Sequence, residues 1–189
     1  MQAQDFKELQ TKRLNLQPLV ATFDFATYLF KLISNNREFF RFMPWAGVKT
    51  QEQEFDFLHD AKKNWKSKKS AIYGMYLKPE KKFIGVCSFF NIDWDDETGE
   101  IGYWLDPKHS RQGYMSEAAN EIAKNFFDTG FKRIIIKADP DNIASCKTAE
   151  KCGFEREGVM RSVVFNPSLS RREDLVLYAK ISNQKNNQK

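Results

Sequence analysis

The residues best placed to do chemistry fall between Glu100 and Phe127. An apolar run, EIGYWL, gives way to a loop, DPKHSRQGYM, and a helical pattern opens within a few residues of Gly113. Such a loop can turn successive backbone N–H groups inward, and a helix N-terminus adds unpaired donors and the positive end of its dipole. Together they make a seat for an anionic group such as a phosphate, with Lys108 and Arg111 as cations beside it. A glycine before a helix also serves simply as a turn, and spacing alone leaves both readings open. Two common phosphate loops are excluded, because no Gly-Lys-Ser/Thr follows the glycine and no Gly-x-Gly-x-x-Gly occurs. His109 reads as an exposed loop histidine, with a base or phosphate contact as the alternative. His59 lies in an amphipathic stretch with no catalytic company. Cys87, Cys146 and Cys152 form no CxxC or Cys/His cluster, which argues against zinc and a disulfide framework and leaves them as buried fillers.

Elements on both sides must hold this loop. Residues 11–19 alternate Leu14 and Leu16 with polar neighbours and read as a strand. Phe23, Ala26, Phe30 and Ile33 form one helical stripe over 22–34, and Phe55, Leu58, Ala61 and Trp65 another over 51–66. An aromatic-rich connection, EFFRFMPWAG, joins the two helices. Strands at 70–78 and 81–93 flank a turn at Pro79-Glu80, and a third strand spans 100–105. SEAANEIAKNFFDTG is a helix with Ala118, Ile122, Ala123, Phe126 and Phe127 on its buried face, ended by Gly130. A strand at 132–138, a helix at 143–153 and two final strands complete the order βααβββαβαββ. The strand–helix–strand piece over 100–138 predicts a parallel, right-handed crossover inside an otherwise antiparallel sheet.

With 189 residues, 41% hydrophobic and 17 of them Phe, the chain can build a substantial core. No apolar run approaches the ~18 residues of a membrane span. The N-terminus is polar and lacks the apolar segment of a secretory signal, so a reducing cytoplasm is expected. The net charge of +5 is compatible with nucleic acid, an acidic protein or a phosphorylated cofactor, but an ordinary basic surface is the preferred reading.

The stretch GEIGYWLDPKHSRQGYMSEAANEIAKNFFDTGFKRIIIKADPDNIASCKTAEKCGFEREGVMR, residues 99–161, resembles the core of the GNAT superfamily of N-acetyltransferases. Within it, the stretch is most similar to the ribosomal-protein N-acetyltransferase (RimJ/RimL-like) branch. The family loop Q/R-x-x-G-x-G/A is occupied by Ser110-Arg111-Gln112-Gly113-Tyr114-Met115, where Ser110 and Met115 depart from the strict pattern. The flanking GYWLDP, SEA and K-C-G-F-E-x-E-G segments follow the branch, and TKRLNLQPL resembles its opening strand.

The resemblance implies an α/β (α+β) fold with a mixed, mostly antiparallel sheet of about seven strands, splayed at the cofactor site and flanked by helices. It implies one acetyltransferase domain over residues 1–181, followed by a polar, disordered tail at 182–189. Acetyl-coenzyme A is the implied co-substrate, without a metal. Its pyrophosphate would rest on the backbone of Arg111, Gln112, Gly113, Tyr114, Met115 and Ser116, and its thioester carbonyl on an N–H near a strand bulge at Trp104-Leu105. Asn142 would contact the cofactor arm. Ser145 would hydrogen-bond the sulfur, a role many relatives give to a Tyr where this chain has Ala149; alternatively Ser145 only satisfies the first turn of its helix. Glu100, on the face of its strand shared with Gly102 and Trp104, is the candidate base, with a solvated glutamate as the rival and a water chain as substitute. The acidic residue that the branch sometimes carries after E-G is missing from SVVF, 162–165. Trp45 and Tyr103 are expected in the acceptor pocket, Trp45 having a satellite-core role as alternative. The implied reaction is acetyl transfer to a primary amine, foremost the N-terminal α-amine of a ribosomal protein, by a monomer or homodimer that binds neither membrane nor nucleic acid. Alternatives are a small-molecule acetyltransferase for polyamines, amino sugars or antibiotics, and an inactive acyl-coenzyme A-binding module.

Overall fold

Strand β4, Lys82–Asp93, and strand β5, Thr98–Leu105, pair antiparallel in register from Phe90↔Glu100 to Gly85↔Leu105 and form the middle of one sheet in the computed structural model. The structure describes residues 3–46 and 50–182. Around this pair stand β1 (Leu9–Gln10), β2 (Leu14–Pro18), β3 (Ala71–Leu77), β6 (Arg133–Ala138), β7 (Glu155–Asn166) and β8 (Arg171–Ile181). The sheet order is β1-β2-β3-β4-β5-β6-β8-β7, and β5 with β6 is its parallel pair. The expected seven strands are present, with β1 as an eighth. Two residues cannot display a period of two, so Leu9 and Gln10, which pair with Leu16 and Asn15, left no pattern to read.

The helices are α1 (Phe23–Ser34), α2 (Arg37–Phe40), α3 (Gln51–Lys66), α4 (Tyr114–Asp128) and α5 (Ile143–Lys151). Thr50 and Gln53 close a reciprocal capping box at the start of α3, which fixes the boundary predicted from the apolar stripe. The buried face of α1 is Ala26, Leu29 and Ile33, whereas Phe23 is 49% exposed and meets Phe55 edge-on. The aromatic connection is not a plain loop. It contains α2 and a 3₁₀ turn at Pro44–Ala46, and buries Phe40. The polar tail from 183 onward lies outside the described residues.

Each face of the sheet carries an apolar cluster, and β5 contributes to both. Ile101 and Leu105 pack with α4 residues Ala118, Ile122 and Phe126, while Trp104 packs with Leu29, Phe40, Leu58 and Phe83. Burying one large apolar side chain contributes roughly 1.5–3 kcal/mol, so β5 is anchored from above and below. Gly85 lets β4 approach it closely: a Cβ there would stand 2.5 Å from the Trp104 carbonyl oxygen.

The parallel pair then parts. β5 and β6 are paired only at Thr98–Glu100 with Arg133–Ile135. Beyond that, β5 follows β4 to Leu105, and β6 follows β8 to Ala138. An open strand edge results, with α4 starting past the end of β5 and α5 past the end of β6.

Candidate active site

A cleft of about 790 Å³ occupies this parting. Asp106 N–H donates to the Ile84 carbonyl at 2.7 Å. By the alternation of an antiparallel ladder, the backbone groups of Glu100, Gly102 and Trp104 therefore turn toward β4, and those of Ile101, Tyr103 and Leu105 turn toward the gap. No shift of register occurs near Trp104-Leu105; the irregularity in this pairing lies between Phe90 and Asp93. The predicted bulge is thus corrected. The separation of β6, rather than a bulge, frees the N–H groups of β5.

The floor at one end is the start of α4. Asp106 is buried and accepts from Lys108 N–H at 3.0 Å, closing a short turn over Pro107–His109. The chain then passes Arg111 at φ +62° and Gly113 at φ +77°, both left-handed, and enters the helix. Gly113 is the N-cap and brings no side chain to the first turn. The N–H groups of Tyr114, Met115 and Ser116 consequently keep the unfilled donors of a helix start. Arg13 Nη2 and Lys151 Nζ lie 3.6 and 3.7 Å from where a Cβ on Gly113 would stand. Donors, dipole and cations converge on one point, which suits a phosphate.

Arg13 is held in place. Its Nε pairs with Glu117 Oε2 at 2.7 Å, its Nη1 donates to the Gln112 carbonyl at 3.0 Å, and its guanidinium lies 4.3 Å over the Tyr114 ring. Thr11 Oγ1 and Arg13 N–H also donate to Glu117 Oε1. Burial raises the Glu117 pKa, but these hydrogen bonds and the Arg13 charge outweigh it and hold the carboxyl below its ordinary range. Lys147 and Lys151, one turn apart on α5, line the cleft with Arg111. Lys108 does not.

The opposite shoulder is the start of α5. Asn142 Oδ1 accepts from Ser145 N–H at 3.2 Å and so caps the helix. Ser145 Oγ donates to the Tyr103 hydroxyl at 3.3 Å, and Tyr103 donates to the Ser145 carbonyl at 3.1 Å. Burial pushes the Tyr103 pKa well up, so its phenol stays protonated. Ala149 is fully buried and offers no hydroxyl.

Of the residues singled out in the sequence, Tyr103, Trp104, Leu105, Arg111, Gly113, Tyr114, Met115, Ser116, Asn142 and Ser145 line this one cleft. Four others stand differently. Gln112 is exposed and contributes its carbonyl to Arg13. Glu100 is buried outside the lining, its Oε2 accepting from Lys137 Nζ at 2.8 Å and from Asn91 Nδ2 at 3.0 Å. A carboxylate committed to a lysine and an amide is not presented to the cleft, so the structure gives Glu100 an ion-pair role in place of the base expected of it. His109 is not an exposed loop residue: its side chain is 12% exposed, with Nδ1 3.6 Å from Asp106 Oδ2. Trp45 is 41% exposed, 6.4 Å ring to ring from Trp104 and outside the lining, where Phe39, Phe42 and Met43 stand instead. Tyr103 faces Ser145 rather than that aromatic wall. The sequence reading missed Arg13, Glu117, Lys147 and Lys151. The two lysines were findable from their four-residue spacing after Asn142; Arg13 comes from the far side of the chain and gave no local signal.

A family model described as an acetyltransferase (GNAT) domain matches residues 13–155. A ribosomal-protein-serine acetyltransferase of Escherichia coli (strain K12) is 37% identical over 103 residues, covering 54% of this chain and 56% of its own length. The match therefore spans little more than half of that relative. The Bacillus subtilis (strain 168) protein YoaA, called an uncharacterized N-acetyltransferase, is 29% identical over 161 residues, 85% of this chain and 89% of its own. Among solved structures, the microcin C7 self-immunity acetyltransferase MccE, in complex with acetyl-CoA and AMP, is 28% identical with a TM-score of 0.80, covering 90% of this chain and 93% of that one. The ribosomal L7/L12 α-N-protein acetyltransferase RimL, in complex with coenzyme A, has a TM-score of 0.84 over 95% of this chain and 100% of its own; at 23% identity that likeness is one of fold.

Proposed function

The chain belongs to the GNAT acetyltransferase family, and from that premise we propose that its cleft transfers acetyl from acetyl-coenzyme A to a primary amine, the N-terminal α-amine of a protein such as a ribosomal protein. The observation that carries this reading is the open edge of β5 running into the uncapped start of α4. Amide groups of a pantetheine arm can pair with that edge as an added strand would, and phosphates can sit on the α4 N–H groups among Arg13, Arg111, Lys147 and Lys151. Bound acetyl-coenzyme A supplies the acyl group already activated as a thioester.

The residues of this chain then have separate tasks. The N–H at Leu105 faces the gap and can stabilise charge that builds on the acyl oxygen during attack. Asn142 orients Ser145, and the Ser145 hydroxyl, 3.3 Å from the Tyr103 oxygen, can give its proton to the departing thiolate and take one in turn from water in the cleft. An α-amine with a pKa near ~8 is partly neutral at pH 7, so a water in the cleft suffices as its base. Phe39, Phe42 and Met43 offer an apolar wall to the acceptor. Residues 1–181 act as one acetyltransferase unit, and the free cysteines fit a cytoplasmic setting. A small-molecule acceptor is the second reading, favoured by the likeness to the self-immunity enzyme MccE.

The test is a transfer assay with acetyl-coenzyme A and a panel of N-terminal peptides, polyamines and aminoglycosides, reading thiol release and product mass. Acetylated peptide supports the first reading and an acetylated small amine the second. Calorimetric binding of acetyl-coenzyme A without turnover on any amine would reduce the chain to a binding module.

A further inference from the structure

Behind the cleft lies a polar cluster that the transfer chemistry does not use. Glu173 on β8, Asp139 in the turn after β6, and Asn166 at the end of β7 are 3%, 4% and 0% exposed. Asn166 Nδ2 donates to Glu173 Oε2 at 3.1 Å and to the Arg41 carbonyl at 2.8 Å. Arg41 belongs to the cleft wall that carries Phe39, Phe42 and Met43. On the other side, Asp139 Oδ1 accepts from Asp141 N–H at 2.7 Å and the Asp139 carbonyl from Asn142 N–H at 2.9 Å. That turn presents Asn142 as the cap of α5 and so sets the place of Ser145. The half-exposed Arg171 covers the group, its Nη2 standing 3.6 Å from Asp139, 3.7 Å from Glu173 and 3.2 Å from Asp141.

Glu173 Oε1 is buried and accepts no hydrogen bond. Two buried carboxylates with a single half-exposed arginine between them would leave one charge poorly compensated. A proton kept on Glu173 would remove that charge and give the bare oxygen a role as a donor. Burial and the Asp139 charge indeed raise the Glu173 pKa.

We propose that Glu173, kept neutral beside Asp139, is a positioning residue that ties the aromatic wall of the cleft, through Asn166 and Arg41, to the turn that starts α5. This rests on the reading of the cleft as the acetyl-transfer site. The clamp touches neither the α4 phosphate seat nor the edge of β5, so its loss should move the acceptor and Ser145 relative to each other and leave cofactor affinity in place. Because the role needs a neutral hydrogen-bonding group, an amide should replace the carboxyl.

The experiment compares the full chain with Glu173→Gln, Glu173→Ala and Asn166→Ala, after checking each fold by circular dichroism. Steady-state kinetics on the best amine of the panel are read beside calorimetric affinity for acetyl-coenzyme A. Glu173→Gln is expected within about twofold of wild type. Glu173→Ala and Asn166→Ala should each lower kcat/KM about tenfold or more, mainly through a higher acceptor KM, with cofactor affinity changed less than about twofold; one interaction chain also predicts that their effects do not add. If Glu173→Gln loses as much as Glu173→Ala, the ionised pair with Arg171 matters and the proposal falls. It falls too if Asn166→Ala, which leaves the carboxyl pair intact should Glu173→Ala not fold, keeps the wild-type acceptor KM. A wild-type chain that binds no acetyl-coenzyme A would instead overturn the reading of the cleft itself.

Discussion

Replacing Gly113 by alanine separates the two contributions this glycine makes. Its φ of +77° is a conformation that costs an L-residue about 1–2 kcal/mol. Alanine also restricts the unfolded chain, which offsets roughly 0.4–1 kcal/mol of that cost in other settings, so the net loss of stability should be about 1 kcal/mol. For a chain of this size that lowers Tm by about 2–4 °C. Steric conflict adds nothing in the free protein, since the nearest atoms, Arg13 Nη2 and Lys151 Nζ, stand at ordinary contact distances of 3.6 and 3.7 Å. In the complex the situation differs. The methyl group would point between those two cations, where a bound phosphate must approach the N–H groups of α4. Losing one charge-assisted hydrogen bond costs about 1.5–3 kcal/mol, which is about 10- to 100-fold in affinity. Differential scanning calorimetry gives the first quantity and titration calorimetry with acetyl-coenzyme A the second. A Gly113→Ala protein that is destabilised as stated yet binds the cofactor with wild-type affinity would refute the placement of the phosphates on α4.

Three further outcomes follow from the same geometry. Ser145→Ala should lower kcat about 10²-fold with little change in cofactor affinity; pre-steady-state measurement of thiol release decides it, and an unchanged chemical step leaves Ser145 as a helix-cap residue alone. Lys151→Gln should weaken acetyl-coenzyme A about tenfold and flatten the dependence of that affinity on ionic strength, whereas a parallel loss at all salt concentrations would mean that Lys151 acts through packing. Glu117 has a lowered pKa, so its latch to Arg13 contributes stability above the ordinary carboxylate range and loses it as pH falls through its folded value. Urea unfolding of wild type and Glu117→Gln should therefore differ at neutral pH and converge in acid; a constant gap across that range contradicts the assignment.

What could be read in the sequence and what could not divides along the range of the interactions. The glycine before α4 and the asparagine before α5 act on backbone groups within three or four residues, so their spacing in the chain is their spacing in space. The capping box of α3 and the apolar stripe that follows it agree with each other for the same reason. Glu100 shows where such reading ends. Period-two alternation placed it correctly on the face that carries Trp104, but its charge is answered by Lys137, 37 residues on, from the parallel neighbour β6. A strand pattern reports a face and says nothing about which charge arrives from the next strand.

The same distinction explains how the site is held. Arg13 reaches Glu117 across 104 residues and Asn166 reaches the Arg41 carbonyl across 125, and both contacts lock a local motif to a distant element. A helix start with free donors is common and binds little by itself; cations fixed beside it by a part-buried network can make it selective. Transfer between two bound partners needs their reacting atoms held close and aligned, and displacement by an ångström can cost 10²-fold. The local motifs therefore say which chemistry is available, while the long-range pairs determine whether the two walls of the cleft stand at the separation that lets it proceed.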